Sequence, residues 1–239
     1  ELIRVQFQRA KTFLKYAKEH TIFYGPWFKQ HGFDPGEMRS LDELQVLPIL
    51  NKHFVRSKLE EFISDETGKL NINWSHTSGT TGAGMRFPEC LASIQREFAY
   101  RVRNVEWAGV RFGEPWAYCA GHPVTDIEAT KPPFWVRDYA SNWLIMSSYH
   151  LTRGNLPFYI DALRGFHPRL IAGYPSSLLL LAFENDRMGR PVKASAVLTS
   201  SETLLGHQRH VVESSFGCKA YSFYSNAERS GLAMECEHG

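Results

Sequence analysis

The sequence predicts an α/β domain with a largely parallel sheet flanked by helices. Short apolar runs have the length and composition of strands, and stretches with helical spacing stand between several of them, which is typical of this class. Ligands bind at the carboxyl ends of the strands in such sheets, so we expect functional side chains in the loops that follow the runs. The strand-like runs are residues 116–120, 143–147, 170–172, 196–199 and 220–224, and the helical stretches are 155–165, 176–188 and 205–216.

Residues 1–66 are predicted to be a helical region of the same domain. Apolar residues at helical spacing predict an amphipathic helix over residues 2–19. Ser40, with Glu43 three residues later, has the capping-box spacing that starts a short helix, and residues 51–62 are predicted to form another. The α/β nucleotide-binding part is placed at residues 67–239. It includes a further long helix, predicted over 91–105.

The composition excludes several classes of protein. Hydrophobic residues make up 43% and aromatic residues 13% of the 239 positions, which is enough for a substantial core and argues against disorder. The net charge of +2 offers no electrostatic case for a nucleic-acid partner. The longest apolar run, residues 178–183, is far too short to cross a bilayer, so no membrane partner is expected.

Four scattered cysteines indicate the compartment. Cys90, Cys119, Cys218 and Cys236 form no CxxC pair, which fits a reduced, cytoplasmic protein with free thiols. The opening residues mix charged with apolar side chains and lack the apolar core of a signal peptide. Because the chain does not begin with Met, we expect it to start inside a longer protein. The sequence does not indicate whether the protein is a monomer or an oligomer.

Residues 76–84 are the strongest candidate for a ligand loop. They carry three glycines and four hydroxyl side chains, and the apolar residues on both sides predict a strand before the loop and another after it. Backbone N–H groups in such a loop, together with Ser and Thr hydroxyls, suit a polyphosphate. No Gly-Lys-Ser/Thr follows, so a Walker-type NTPase is not favoured. The alternative is a polar surface turn.

Two further loops follow predicted strands and contain one acid each. Glu202 lies in the segment 199–203, and Glu228 lies in the segment 224–229. For Glu202 the alternative is a favourable interaction between an acid and a helix dipole. Glu228 shares its turn with an aromatic side chain and an amide, which favours a ligand site.

In this order, the three segments resemble the motifs of the adenylate-forming enzymes, which include the acyl-CoA synthetases. Residues 77–82 match the family's phosphate loop, 199–202 match the segment that lies against adenine, and 224–228 match its Tyr-Gly-x-Thr/Ser-Glu motif. The resemblance covers nearly the whole chain and implies the N-terminal domain of such an enzyme, truncated. Segments that resemble the phenylacetate–CoA ligase branch and its capsule-associated CapK-type members are 131–135, 148–151, 173–176 and 235–239.

The resemblance implies an AMP-forming ligase that activates an aryl or acyl carboxylic acid with ATP. The acyl group would then pass to a thiol such as coenzyme A. Glu228 would bind Mg²⁺ and act in catalysis together with Thr80 and Thr81, and Tyr224 would stack on adenine. The residues implied in nucleotide binding are Ser78, Gly79, Thr80, Thr81, Gly82, Ser200, Ser201, Glu202, Tyr224, Ser225 and Asn226.

The acyl substrate is implied to contact the loops after two other strands. Alternatives are open in both loops: a packed aromatic pair in the first, and a tight turn followed by a helix N-cap in the second. The branch implies a link to capsule or polysaccharide biosynthesis, and the small-molecule acid itself is not indicated. The implied substrate residues are Tyr149, His150, Gly173, Tyr174 and Pro175, whereas Trp116, Phe134, Trp135 and Trp143 are assigned to the core.

The chain departs from the family pattern at several positions. Residues 84–85 are Gly-Met where the family has Pro and then Lys or Thr, Ser225 replaces Gly, and residues 200–201 replace Gly-Ala. The family's ribose-binding Asp, hinge and C-terminal domain with its catalytic Lys would lie beyond Gly239, so that domain is the implied partner. We expect this chain alone to bind ATP weakly and to be inactive. The alternative function is a non-catalytic, degenerate nucleotide-binding or interaction module.

Cys236, Glu237 and His238 suggest a zinc site as a further alternative. Structural zinc takes four ligands, and the other cysteines stand far away in the sequence. Free thiols and a surface histidine are therefore expected, and zinc is not among the expected cofactors.

Overall fold

The computed structural model describes residues 1–69, 72–76, 84–229 and 231–236. The chain forms two compact units, Glu1–Ile94 and Gln95–Gly239. The division predicted after residue 66, inside one domain, stays a prediction. Within the described residues, no helix combines the length and apolar composition that crossing a membrane requires.

The first unit is mainly helical. The predicted amphipathic helix is confirmed as α1 (Leu2–His20), and α2 (Tyr24–Gln30) follows it. A 3₁₀ helix spans Leu41–Val46, and the Glu43 carboxylate accepts a hydrogen bond of 3.0 Å from the backbone N–H of Ser40, as the capping-box spacing predicted. A second 3₁₀ helix spans Thr67–Lys69.

The single helix predicted over residues 51–62 is wrong. It is two short helices, α3 (Lys52–Ser57) and α4 (Leu59–Phe62). Lys58 between them has φ −126° and ψ 25°, which lies outside the helical region and interrupts the hydrogen-bond ladder.

Two strands on either side of the Gly-rich loop are confirmed. β1 (Ile72–His76) and β2 (Arg86–Cys90) pair antiparallel, with Ile72 opposite Cys90. Of the loop between them, residues 77–83 lie outside the described residues. The long helix predicted next is α5 (Leu91–Trp107).

The second unit contains the predicted sheet. The strands are β3 (Trp116–Ala120), β4 (Trp135–Asp138), β5 (Trp143–Ser147), β6 (Leu170–Gly173), β7 (Ala196–Ser200), β8 (Lys219–Ser225) and β9 (Leu232–Met234). Their order in the sheet is β4-β5-β3-β6-β7-β8-β9, with β5, β3, β6, β7 and β8 parallel and both edge strands antiparallel to their neighbours. The edge strands were not predicted, because four and three residues are too few to show a pattern.

Helices cover both faces of this sheet, as predicted. Alternation along β6 shows why: Ile171 packs into the core cluster that holds Leu163, Leu178 and Val212, whereas Leu170 packs into the other core cluster, beside Val105 of α5. Residues that alternate between two buried faces give the continuous apolar runs seen in the sequence. The helices on the first face are α6 (Leu156–Phe166), α7 (Pro175–Arg187) and α8 (Gly206–Phe216).

The four cysteines are free thiols with different surroundings. Burial raises the pKa of Cys119 to about 12, and mainly burial raises that of Cys218 to about 11. Hydrogen bonds from Ser93 lower the pKa of Cys90, and Cys236 is exposed.

Alkylation should therefore distinguish these thiols. The thiolate is the reactive form, and at pH 8 a thiol with a pKa of about 12 is ionised in roughly one molecule in ten thousand. We expect iodoacetamide to modify Cys90 and Cys236 well before Cys119, as followed by mass spectrometry. In guanidinium chloride all four should react at similar rates. Modification of native Cys119 as fast as Cys236 would contradict this description of its environment.

Candidate functional site

The carboxyl ends of the five parallel strands form one edge of the sheet, which we call the polar edge. Across this edge the strands stand in the order β5, β3, β6, β7, β8. Along this edge lie, in the same order, Tyr149, Gly121, Tyr174 and Glu202, which follow their strands, and Tyr224, the penultimate residue of β8. Four of these five were singled out from the sequence, Glu202 and Tyr224 because they stand at strand ends, and Tyr149 and Tyr174 through the family resemblance.

The middle of the polar edge is occupied by two tyrosine hydroxyls. Tyr149 donates a hydrogen bond of 3.3 Å to the carbonyl oxygen of Gly121. A Cβ on Gly121 would lie 3.0 Å from the Tyr174 hydroxyl and 3.2 Å from the Tyr149 hydroxyl. Two residues implied in substrate binding therefore converge on one glycine. The Tyr174 hydroxyl is a donor that suits a carboxylate, whereas the single O–H of Tyr149 is donated to Gly121.

His150 is placed differently. It is buried, its Nδ1 lies 2.9 Å from the Ser147 hydroxyl, and its Nε2 lies 3.1 Å from the carbonyl oxygen of Asp126. Its ring stacks on Phe134 with a centroid distance of 4.9 Å. Both ring nitrogens thus have protein partners, which argues against a contact with substrate. The ring that packs on His150 is Phe134 and not the exposed Tyr149.

Gly173 and Pro175 shape the turn that presents Tyr174. Gly173 ends β6, where a Cβ would lie 2.2 Å from the carbonyl oxygen of Cys119, so only glycine fits. Pro175 is the first residue of α7, a position where its missing N–H leaves no hydrogen bond unmade. The shape of the turn therefore accounts for the presence of both Gly173 and Pro175.

Glu202 ties the loop after β7 to the start of α7. The Ser176 N–H donates to its carboxylate at 3.0 Å, and the Ser176 hydroxyl donates at 2.9 Å. Ser201, with φ +70°, turns the chain in the left-handed region so that the carboxylate can reach back. The sequence analysis gave an acid at a helix N-terminus as the alternative for Glu202. The helix in the structure is α7, which precedes Glu202 in the chain.

An open cleft of about 350 Å³ lies between the loop after β7 and the carboxyl end of β8. Ser201, Glu202 and Tyr224 line one part of it, and Tyr224 is 69% exposed. On the other side Glu235 accepts hydrogen bonds from Arg209 at 2.7 Å and from the N–H of Ser222 at 2.8 Å. The volume is within the range of small-molecule sites.

Glu228 lies in the turn between β8 and β9. The turn is closed by hydrogen bonds of 3.1 Å from the N–H of Arg229 to the Asn226 carbonyl and from the N–H of Gly231 to the Asn226 side chain. Glu228 is exposed, and within the described residues no hydrogen bond or ion pair holds its carboxylate. Such a carboxylate is available to a cation.

Sequence reasoning did not place His122 at the polar edge, although it follows the strand predicted at 116–120. Its ring lies 5.2 Å from that of Tyr118. Burial and the positive charge of Arg101 lower its pKa, which favours the neutral imidazole. Nearby, Arg101, Tyr118 and Ser200 help to line a cavity of about 40 Å³, which has room for water but not for a phenyl ring.

Several predicted residues cannot be located at the site. Ser78, Gly79, Thr80, Thr81 and Gly82 lie outside the described residues. Of the zinc alternative, Cys236 is exposed, and residues 237–238 lie outside the described residues as well. Within the part of the chain that the structure describes, no three His, Cys, Asp or Glu side chains are grouped to hold a metal ion.

The sequence is similar to two kinds of curated protein. It is 27% identical over 241 residues to protein CapK of Staphylococcus aureus, covering 100% of this chain and 53% of that protein. It is 23% identical over 236 residues to the phenylacetate–coenzyme A ligase of Pseudomonas putida, covering 97% and 52% respectively. No family model matches. The chain thus spans about half the length of these relatives, and the resemblance to their branch is confirmed.

The fold is that of a solved ligase. The structure of 2-hydroxyisobutyryl-CoA ligase in complex with 2-HIB-AMP superposes with a TM-score of 0.75 at 17% identity, covering 98% of this chain and 51% of that one. The structure of the same enzyme with 2-HIB-AMP and CoA gives a TM-score of 0.73 at 19% identity, with coverage of 98% and 51%. The predicted adenylate-forming fold is therefore confirmed.

Proposed function

We propose that this chain, with the fold of adenylate-forming ligases and a sequence similar to CapK and phenylacetate–CoA ligases, is part of an enzyme that joins a carboxylic acid to a thiol. The acid's carboxylate attacks the α-phosphorus of ATP, the bond to pyrophosphate breaks, and an acyl-adenylate forms. A thiol then attacks the acyl carbon and AMP leaves. The observation that carries the proposal is the ligand-sized cleft between two motif segments, 199–202 and 224–228.

The cleft supports a nucleotide assignment. The exposed ring of Tyr224 offers a stacking face for adenine, and the backbone at Ser201 offers polar groups along the edge of the base. Ser200, Glu202, Ser225 and Asn226 complete the proposed base-binding set, with Glu202 acting through the turn that it fixes. The phosphates are assigned to the N–H groups and hydroxyls of residues 78–82.

Glu228 fits a magnesium ligand. Mg²⁺ prefers carboxylate oxygens, and this carboxylate is exposed and held by no described residue. When bound, the ion supplies positive charge that stabilises the phosphates during displacement. The chain supplies the position of that carboxylate, in the turn that also contains Asn226 of the proposed base-binding set.

The Tyr174 hydroxyl is proposed to orient the acid, and Tyr149 would join it by exchanging the Gly121 carbonyl for the acid's carboxylate as the acceptor of its O–H. A carboxylate is already ionised at neutral pH, so the first half-reaction needs position and charge stabilisation rather than a base. Coenzyme A is the proposed acceptor thiol. The acid is an aryl or acyl acid, and the similarity to CapK leaves a capsule-linked acid as one candidate.

Because the chain spans about half of its relatives, the remaining half is proposed as a C-terminal domain of the same protein. The test is acid-dependent ATP–pyrophosphate exchange by the full-length protein with a panel of aryl and alkyl acids. We expect exchange with at least one acid. ATP binding without exchange for any acid would instead support a non-catalytic nucleotide-binding module.

The double variant Thr80→Val, Thr81→Val should weaken ATP binding without changing affinity for the acid. Each lost neutral hydrogen bond costs about 1 kcal/mol, so the pair should raise the Kd for ATP by roughly 30-fold. Thr12→Val, on the exposed face of α1, is the control. If calorimetry finds the same ATP affinity in all three proteins, the phosphate-loop assignment is wrong.

A further inference from the structure

Glu97 is a buried carboxylate on α5 with two cationic partners. Glu97 is 9% exposed. Arg101, one helical turn later, donates a hydrogen bond of 3.1 Å to its carboxylate. The other carboxylate oxygen contacts the guanidinium of Arg229. A buried charge is tolerated only when it is paired, so this arrangement requires both partners to stay in place.

Arg229 connects this carboxylate to the candidate metal ligand, because it is the residue directly after Glu228. Its φ of +56° lies in the left-handed region, which a side chain with a Cβ disfavours. The local turn alone therefore does not favour the observed backbone. The ion pair with Glu97 offsets this cost and fixes the turn against α5.

α5 holds the chain on both sides of the same turn. Before it, the guanidinium of Arg101 lies 5.0 Å from the ring centre of Phe223 in β8. After it, the Asn104 side chain donates a hydrogen bond of 3.1 Å to the carbonyl oxygen of Glu235. Three residues at successive turns of one helix thus contact the β8–β9 hairpin before, within and after its turn.

We propose that Glu97 is a positioning residue of the polar edge, which through Arg229 fixes the turn that presents Glu228. The effect of Glu97 on metal binding rests on the proposed function, whereas its stabilisation of the turn does not. The residue touches neither nucleotide nor acid in this scheme. Its effect should therefore appear in metal dependence and in turn mobility, not in affinity for the acid.

The first test measures the turn directly by hydrogen exchange of the full-length protein. In Glu97→Gln and in Arg229→Gln, amides of residues 224–229 should exchange about tenfold faster than in the wild type. The size is taken from metal sites, where loss of a residue that supports a ligand costs about tenfold or more. The matched control is Glu184→Gln. Glu184 is also a buried carboxylate, 5% exposed, and it pairs with Arg187 at 2.6 Å. It differs from Glu97 in lying on α7 instead of α5. Unchanged exchange at 224–229 in both test variants would overturn the proposal.

The second test measures ATP–pyrophosphate exchange as a function of Mg²⁺. The apparent Mg²⁺ constant should rise about tenfold in Glu97→Gln, with the KM for the acid unchanged, and Glu97→Asp should restore part of it. A looser turn with an unchanged Mg²⁺ constant would reject the positioning role. If the wild type shows no acid-dependent exchange, the proposed function fails, and hydrogen exchange alone decides whether Glu97 holds the turn. Arg229→Gln serves both tests should Glu97→Gln not fold.

Discussion

Replacement of Glu228 by Gln should lower Mg²⁺-dependent ATP–pyrophosphate exchange of the full-length protein by about 100-fold or more. Gln keeps the size of the side chain and one oxygen but removes the charge that a hard cation requires. Metal stabilisation of phosphoryl charge is worth several kcal/mol, and about 2.7 kcal/mol already corresponds to two orders of magnitude in rate. The fold should not change, because an exposed side chain without a described partner contributes little to stability.

The control for this variant is Asp186→Asn, an exposed acid near the C-terminal end of α7. It loses the same charge at the end of the helix that points away from the polar edge. Exchange should stay at the wild-type rate there. Wild-type exchange in Glu228→Gln, at limiting as well as saturating Mg²⁺, would exclude Glu228 as the metal ligand.

Replacement of Gly173 by Ala should destabilise the second unit by about 3 kcal/mol or more. The added Cβ would lie 2.2 Å from the carbonyl oxygen of Cys119, which is paired opposite Gly173 in the parallel ladder between β6 and β3. A backbone atom cannot move aside as a flexible side chain does, so the strands themselves must separate. Overpacking costs 1–3 kcal/mol where side chains can adjust, and more where they cannot.

A second glycine provides the matched control. Gly165 lies inside α6, and a Cβ there meets nothing within 4 Å. Gly165→Ala should stabilise the protein by roughly 0.5–1 kcal/mol, because alanine is the better helix former. Urea unfolding followed by fluorescence measures both variants. Equal stability of the two would contradict the close approach of β6 to β3.

Most of the fold was predictable because its signals are local. The five central strands are buried on both faces and therefore appear as apolar runs, and the predicted ends agree with the structure within one residue. The edge strands were missed because they are short, and the helix over 51–62 was overextended because nothing in the sequence marks the break at Lys58.

The candidate site was predictable only in its location. The rule for parallel sheets placed Glu202 and Glu228 beyond strand ends, where they are found, whereas Tyr149 and Tyr174 were named through the family resemblance. Partners were not predictable, since the contacts of Glu202 with Ser176 and of His150 with the Asp126 carbonyl join residues that are distant in sequence. Such contacts leave no periodicity or spacing to detect. The roles of residues 78–82 stay predictions.

The contacts between α5 and the β8–β9 hairpin can form only long after α5 itself has been synthesised. Asn104 and Glu235 are 131 residues apart, and a ribosome needs on the order of ten seconds to synthesise that length. During this time the residues of the β8–β9 hairpin that contact α5 have not yet been synthesised. The polar edge is therefore completed only after all five parallel strands have been synthesised, and nascent chains should acquire ligand affinity only after Glu235 has left the ribosome.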